Sequence, residues 1–257
     1  MFSFKSISTL MCAGVMCAAL VPGASAQTTT TFLAIGSDPG DPVGNGANIY
    51  LTAQTATFTS FQNSGAGRHV WSVTIQPNDN SAAWHVAFTL PNSFGLSLGT
   101  RYPAPFPRDL SFSPSISVSK GPGLPCAGQS GSFTLRQSAV DLSTLGLVLD
   151  LDFEARCEGA AGSLYGQLRL KSTRAGIDIG TVAMSSLSPV APGTPLRFGV
   201  AMDASVPLEF KFIRYRSSTA TWEIVQDYGF RPVWNWRASL PRRWRSVCAA
   251  HPVRWAG

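Results

Sequence analysis

Val70-Trp71-Ser72-Val73-Thr74-Ile75 and Trp84-His85-Val86-Ala87-Phe88-Thr89-Leu90 decide how this chain folds. In both, large apolar residues alternate with small or polar ones. Successive side chains of a strand point to opposite faces, so one face carries Trp71, Val73 and Ile75, or Trp84, Val86, Phe88 and Leu90. Gln76-Pro77-Asn78-Asp79-Asn80 follows the first segment and Pro91-Asn92 ends the second. These residues turn a chain, by fixing φ or by bonding their own backbone. Half-buried strands separated by such turns are the unit of a sandwich or barrel.

The pattern extends in both directions. Thr29 to Ile35 is rich in β-formers and stops at Gly36; Ile49 to Phe61 alternates loosely. Ser115–Ser119, Gly131–Gln137, Gly146–Arg156 and Ser163–Ser172 read as further strands. No 3.6-residue apolar period runs over eleven residues after residue 26. Leu142-Ser143-Thr144-Leu145 offers one turn of helix at most. Residues 99–125 hold Pro103, Pro105, Pro107, Pro114, Pro122 and Pro125, each of which removes a ladder donor. With Tyr102, Phe106 and Phe112 as packing groups, they read as a long crossover along the sandwich edge.

Lys5, the apolar run Ile7 to Val21, and Ala24-Ser25-Ala26 form a secretory signal over residues 1–26. The run is shorter than the roughly 20 residues that span a bilayer, and no other segment is long and apolar enough. Residues 27–184 are expected to form the β-sandwich domain. Ser185 to Pro195 is small-residue and Pro-rich and reads as a linker. Strands resume at Leu196–Met202, Leu208–Arg216, Thr221–Asp227 and Val233–Trp236, a partial Ig-like module over 196–236. Residues 237–257 lack alternation and a closing strand, and read as an irregular basic tail or a frameshifted terminus. The fold class expected is therefore all-β: a disulfide-bonded β-sandwich followed by an incomplete Ig-like β module.

The net charge of +6 points to an acidic partner only until it is located. Residues 231–257 hold six arginines and no acid, whereas residues 27–230 set 13 cations against 14 acids. A nucleic-acid binder carries its basic stripe on the folded surface, so nucleic acid is not an expected partner. Of five cysteines, Cys12 and Cys17 lie in the signal and Cys248 in the tail. Cys126 and Cys157 remain, and an exported chain meets an oxidising compartment. Pairing them closes a loop of about 30 residues, worth roughly 3–4 kcal/mol as lost unfolded-state entropy.

Four groups of residues carry candidate chemistry. Asp150, Asp152 and Glu154 share one strand face, with Leu149, Leu151 and Phe153 opposite. Such carboxylates either form a glycosidase pair or stand on a solvated face above an apolar core. Asp38, Asp41 and Asn45 lie in the densest turn signal, Ser37 to Gly46. They offer oxygens to a structural Ca²⁺, or bond their own backbone. Tyr50, Trp71, Trp84 and Tyr165 are the aromatics that could form a planar sugar platform, or could pack in the core. His69 and His85 stand apart from Cys and acids, without metal spacing. His85 alternates with Trp84 and is expected to face solvent or an edge. No Gly-x-Ser-x-Gly elbow exists.

Pro39-Gly40-Asp41, Val43-Gly44, Gly46, Cys126, Gly131, Phe133, Phe153, Cys157-Glu158-Gly159, Leu164, Gly166 and Leu168-Arg169 carry a resemblance over residues 31–173. They resemble a secreted bacterial β-sandwich domain of unknown function. The resemblance implies export and a Cys126–Cys157 bridge, and no catalytic residue. Pro192-Gly193-Thr194-Pro195, Pro207 to Phe212, Trp222 to Tyr228, Trp234 and Trp236 are similar to an Ig-like repeat of bacterial extracellular proteins, over residues 188–236.

These readings make the chain a secreted, cell-surface or periplasmic structural or adhesion-type protein, not an enzyme. Its partner would be a surface glycan or protein, and no cofactor is expected beyond the Ca²⁺. A carbohydrate-binding module is the first alternative. A glycan hydrolase using Asp150, Asp152 or Glu154 is the second.

Overall fold

The computed structural model describes residues 29–65, 67–106, 112–122, 126, 128–141, 146–174, 177–184, 195–204, 207–216, 219–237 and 246–252. Their strands in chain order are β1 (Thr30–Ser37), β2 (Asn48–Thr52), β3 (Ala56–Gly65), β4 (Arg68–Pro77), β5 (Trp84–Pro91), β6 (Arg101–Ala104), β7 (Ser115–Lys120) and β8 (Gln129–Asp141). Then follow β9 (Gly146–Cys157), β10 (Leu164–Ser172), β11 (Ile177–Met184), β12 (Pro195–Ala204), β13 (Leu208–Arg216), β14 (Thr221–Gly229), β15 (Val233–Arg237) and β16 (Ser246–Pro252). One 3₁₀ turn, Asn92–Phe94, interrupts them. No helix among the described residues is long and apolar enough to cross a membrane. The expected signal (residues 1–26) and the helical turn at Leu142–Leu145 lie outside the described residues.

Two sheets make the sandwich. One has six strands in the order β2-β1-β10-β9-β8-β6, the other four in the order β3-β4-β5-β7. Their facing sides close one apolar core. The four-stranded sheet supplies Trp71, Val73, Ile75, Trp84, Val86, Phe88, Leu90, Ile116 and Val118. The six-stranded sheet supplies Leu33, Ile35, Leu149, Leu151, Phe153, Leu168, Phe133 and Leu135. Trp71 stacks on Phe88 at 4.9 Å, and Phe88 tilts against Phe133 at 5.2 Å. The strict alternation of β4 and β5 has this cause: one face is buried, while Ser72, Thr74, His85 and Thr89 of the other are half-exposed. His85 sits on that outer face, where its Nδ1 lies 3.1 Å from Thr74 Oγ1.

The structure corrects the reading at two places in this unit. Ile49 to Phe61 is two strands, split at Thr52–Thr55 by a turn in which Thr55 N donates to Thr52 O at 3.0 Å. The Pro-rich crossover contains β6, paired with β8. Pro103 is tolerated there because β6 is the last strand of its sheet, where a missing donor breaks no second ladder. In the other sheet, the edge strand β7 is capped by a side chain. The Gln129 amide accepts from Val118 N and donates to Val118 O, both at 2.6 Å, standing in for a neighbouring strand. The disulfide joins Cys126, just before β8, to Cys157 at the end of β9, with Cα atoms 5.5 Å apart.

The C-terminal strands form two three-stranded sheets, β11-β12-β15 and β14-β13-β16. Four of these strands fall where the alternation places them. β11, which precedes the Pro-rich stretch, pairs with β12 from Ile177↔Ala204 to Met184↔Phe198. Residues 185–194 of the expected linker lie outside the described residues, and Pro195 begins β12. The tail read as irregular over 237–257 holds the closing strand: β16 pairs with β13 from Leu208↔Pro252 to Arg214↔Ser246. Ser246 to Pro252 lacks an alternating pattern, but ladder bonds come from the backbone, which every residue except proline can donate.

A close approach joins the two units. Phe230 packs against Phe32, Ala34 and Tyr50, its ring 5.9 Å from that of Tyr50. A Cβ on Gly36 would sit 2.6 Å from Arg231 N, so only glycine admits this backbone at its distance. Gly36→Ala is expected to separate Phe230 and Arg231 from β1, at a cost of about 1–3 kcal/mol as overpacking. Urea unfolding with Phe230→Ala as reference tests this. If the two substitutions add fully, they act at independent sites and the shared contact is refuted.

Candidate functional site on the outer face of the six-stranded sheet

β1 supplies the reason that this outer face is unusual. Phe32, Leu33, Ala34 and Ile35 are all buried, so the strand is covered on both sides. Phe32 and Ala34 face outward and lie under Phe230. The register carries this face across the sheet. Ala34 is opposite Tyr50 and Gln167, Gln167 opposite Asp152, and Asp152 opposite Thr134, which pairs with Arg101. The next row contains Phe32, Arg169, Asp150 and Gln137.

Asp150, Asp152 and Glu154 do share this face, as the period of two requires. Their surroundings differ from both expected readings. Asp150 is 0% and Arg169 1% exposed, so the face is not solvated there. Arg169 Nη1 lies 2.9 Å from Asp150 Oδ1, and its Nη2 donates to Asp152 Oδ1 at 2.8 Å. Arg169 Nη1 also donates to the Leu151 carbonyl at 2.9 Å. Arg136 Nε holds the other Asp152 oxygen at 3.1 Å, and Arg174 Nη1 stands 3.6 Å from Asp150 Oδ2. One guanidinium thus bridges two carboxylates, and two further arginines flank them. Asp150 is closed to any substrate. What this network does chemically is hold β8, β9 and β10 in register across a buried face.

Glu154, two residues on, lies at the open end. Arg101 Nη2 donates to its Oε2 at 3.2 Å, and Arg101 Nε donates to Ser132 Oγ at 2.8 Å. A cleft of about 360 Å³ opens here between β6, β8 and β9.

The four candidate aromatics are not brought together. Trp71 and Trp84 are 0% and 1% exposed in the sandwich core, where size and flatness serve packing. Tyr50 and Tyr165 lie on the outer face of the other sheet. Tyr165 is buried, and burial raises the Tyr50 phenol above its usual range. No sugar platform can be assembled from this set.

The turn at Ser37–Gly46 uses its oxygens internally. Asp38 Oδ1 accepts from Arg231 Nη1 at 2.7 Å, and Oδ2 accepts from Ser163 N at 3.1 Å and Tyr165 OH at 3.4 Å. Asp41 Oδ2 accepts from Gly44 N at 2.6 Å, and Asn45 takes the left-handed φ of +48° that its amide tolerates. Among the described residues no three His, Cys, Asp or Glu side chains gather to hold a metal.

Burial raises the Asp41 carboxyl above the usual carboxylate range, against the lowering effect of the Gly44 and Val43 amides. For an acid raised in the folded state, the stability it contributes is complete below its unfolded value. That contribution is lost as pH rises through the folded one. Asp41→Asn keeps the acceptor and removes the titration. It is expected to flatten the fall in urea midpoint with rising pH in the acidic range, and an unchanged pH profile would contradict this.

The residues that sequence reasoning missed are Arg169, Arg136 and Arg231. Arg169 sits between Leu168 and Leu170 and looks like an ordinary exposed position. The signal that could have exposed it is the unbroken apolar run Phe32 to Ile35, which marks the neighbouring strand as buried on both faces. Compared with known proteins, the chain matches no family model, no curated protein and no solved structure.

Proposed function

We propose that this is an exported structural protein of adhesion or display type, acting outside the cell, at its surface or in the periplasm. The Cys126–Cys157 bridge carries the reading. Disulfides persist in oxidising compartments, which agrees with the secretory signal read over residues 1–26. The residues 31–173 that resemble a secreted bacterial sandwich domain, and the Ig-like resemblance of residues 188–236, fit the same setting. The internal use of the carboxylates supports a load-bearing rather than a catalytic role. Asp150, Asp152, Asp38 and Asp41 all bind groups of the protein itself.

Fractionation of producing cells with mass spectrometry tests the proposal. The expected result is protein beginning at Gln27 in the medium, envelope or periplasm, with Cys126 and Cys157 linked. Full-length cytoplasmic protein with two free thiols would defeat it.

A further inference from the structure

The cleft at the open end of the outer face is lined by Arg101, Pro103, Pro105, Ser132, Glu154 and Arg156 among others. We propose that it binds a carboxylate-bearing saccharide, of the uronic-acid class. The inference deepens the adhesion reading and rests on it for the setting in which such a glycan is met, not for the chemistry.

Charge comes first. Two guanidinium groups face one carboxylate, so the cleft has an excess of one positive charge. Both guanidinium groups are already oriented. Arg101 uses Nε on Ser132 and Nη2 on Glu154. Arg156 uses Nε and Nη2 on the Ala160 carbonyl, at 2.9 and 2.7 Å. Nη1 of each has no bond among the described residues. A guanidinium held in place by other bonds loses little freedom on meeting a carboxylate, and its planar donors match that anion.

The remaining lining selects the class of carboxylate. Glu154, Ser130 and Ser132 supply acceptor oxygens, and a sugar's hydroxyls donate to such groups. Glu154 would repel a bare anion, but it bonds well to a ligand that is part carboxylate and part polyol. Pro103 and Pro105 give a rigid apolar wall for the C–H face of a pyranose ring. Apart from Pro105, one residue past β6, these groups stand on the paired strands β6, β8 and β9, so little reorganisation opposes binding. A simple anion uses only the arginines, and an acidic peptide has no hydroxyls for Glu154.

Titration calorimetry of the full purified chain tests this at an ionic strength of about 0.15 M. The probes are oligogalacturonate, the neutral galactose oligomer of the same linkage, inorganic phosphate and oligoglutamate. Oligogalacturonate is expected to bind, and the other three to bind at least about ten-fold more weakly, the scale of one charge-assisted hydrogen bond. Arg101→Gln with Arg156→Gln is expected to lower the uronate affinity by the same factor or more. Both side chains are exposed, so the fold should persist, which the thermal midpoint checks. Shifts of the two guanidinium resonances in the unsubstituted protein, on adding oligogalacturonate, give a readout independent of the variant. No uronate binding overturns the proposal, as does unchanged affinity in the folded double variant. So does equal binding of the neutral oligomer, of phosphate or of oligoglutamate. Cytoplasmic retention would defeat the export reading and leave this titration untouched.

Discussion

Arg169→Met is expected to destabilise the protein by about 3–5 kcal/mol, the largest single effect foreseen here. The substitution keeps side-chain length and apolar stem, so the loss is electrostatic. Asp150, 0% exposed, would lose the guanidinium 2.9 Å from its Oδ1. Asp152 keeps Arg136 at 3.1 Å and some access to solvent, whereas fully buried Asp150 keeps Arg174 at the longer distance of 3.6 Å, so most of the cost falls on Asp150. Adding Asp150→Leu should recover most of the loss, because replacing a buried pair by apolar groups is often neutral whereas breaking it is not. Urea unfolding of the two variants and the parent measures this. A single variant as stable as the parent, or a double variant worse than the single, would show that the pair does not hold the face together.

Replacing both Cys126 and Cys157 by alanine is the next largest effect, an expected loss of roughly 3–4 kcal/mol. The bridge spans 31 residues of sequence and pins the start of β8 to the end of β9, where Gln129 is opposite Cys157. Without it, the loop entropy of the unfolded chain returns. The Gln129 amide that caps β7 also sits at a freer strand end. Thermal melting of the oxidised protein, the reduced protein and the double variant separates the terms. The reduced protein and the variant should fall together. A reduced protein that melts with the oxidised one would contradict the estimate.

The fold was legible where burial is one-sided. β4 and β5 announce themselves because core and solvent alternate along them, and turn residues bound them on physical grounds. The site was legible only in part. Period two correctly placed Asp150, Asp152 and Glu154 on one face, but it carries no information about what covers that face. Arg169 lies 17 to 19 residues from its carboxylates, on the adjacent strand β10. Trp71 and Trp84 show the same gap in reverse: an aromatic in an alternating strand looks identical whether its face meets sugar or a second sheet.

The tail illustrates a different limit. Ser246 to Pro252 has no side-chain pattern of its own, so composition suggested irregular chain. It pairs with β13 because β13 offers an unused edge, which is a property of another segment. Likewise β11 stands before the Pro-rich stretch yet pairs with β12 after it, because proline content marks a break in composition and not a break in pairing.

By itself, then, the sequence determined the all-β class, most strand positions and which residues share a face, because these follow from local periodicity and from φ preferences. It also singled out the cysteine pair, by elimination of the other three. Only the tertiary structure decided which faces are closed. Packing Phe230 onto Phe32 and Ala34 turned the outer side of β1 into an interior, and on the same sheet face Asp150 and Arg169 are a buried pair rather than solvated charges. Burial is a relation between distant segments, and the cost of an unpaired charge depends on it. That is why the same Val70 to Leu90 alternation that settled the fold left the chemistry of the opposite sheet unread.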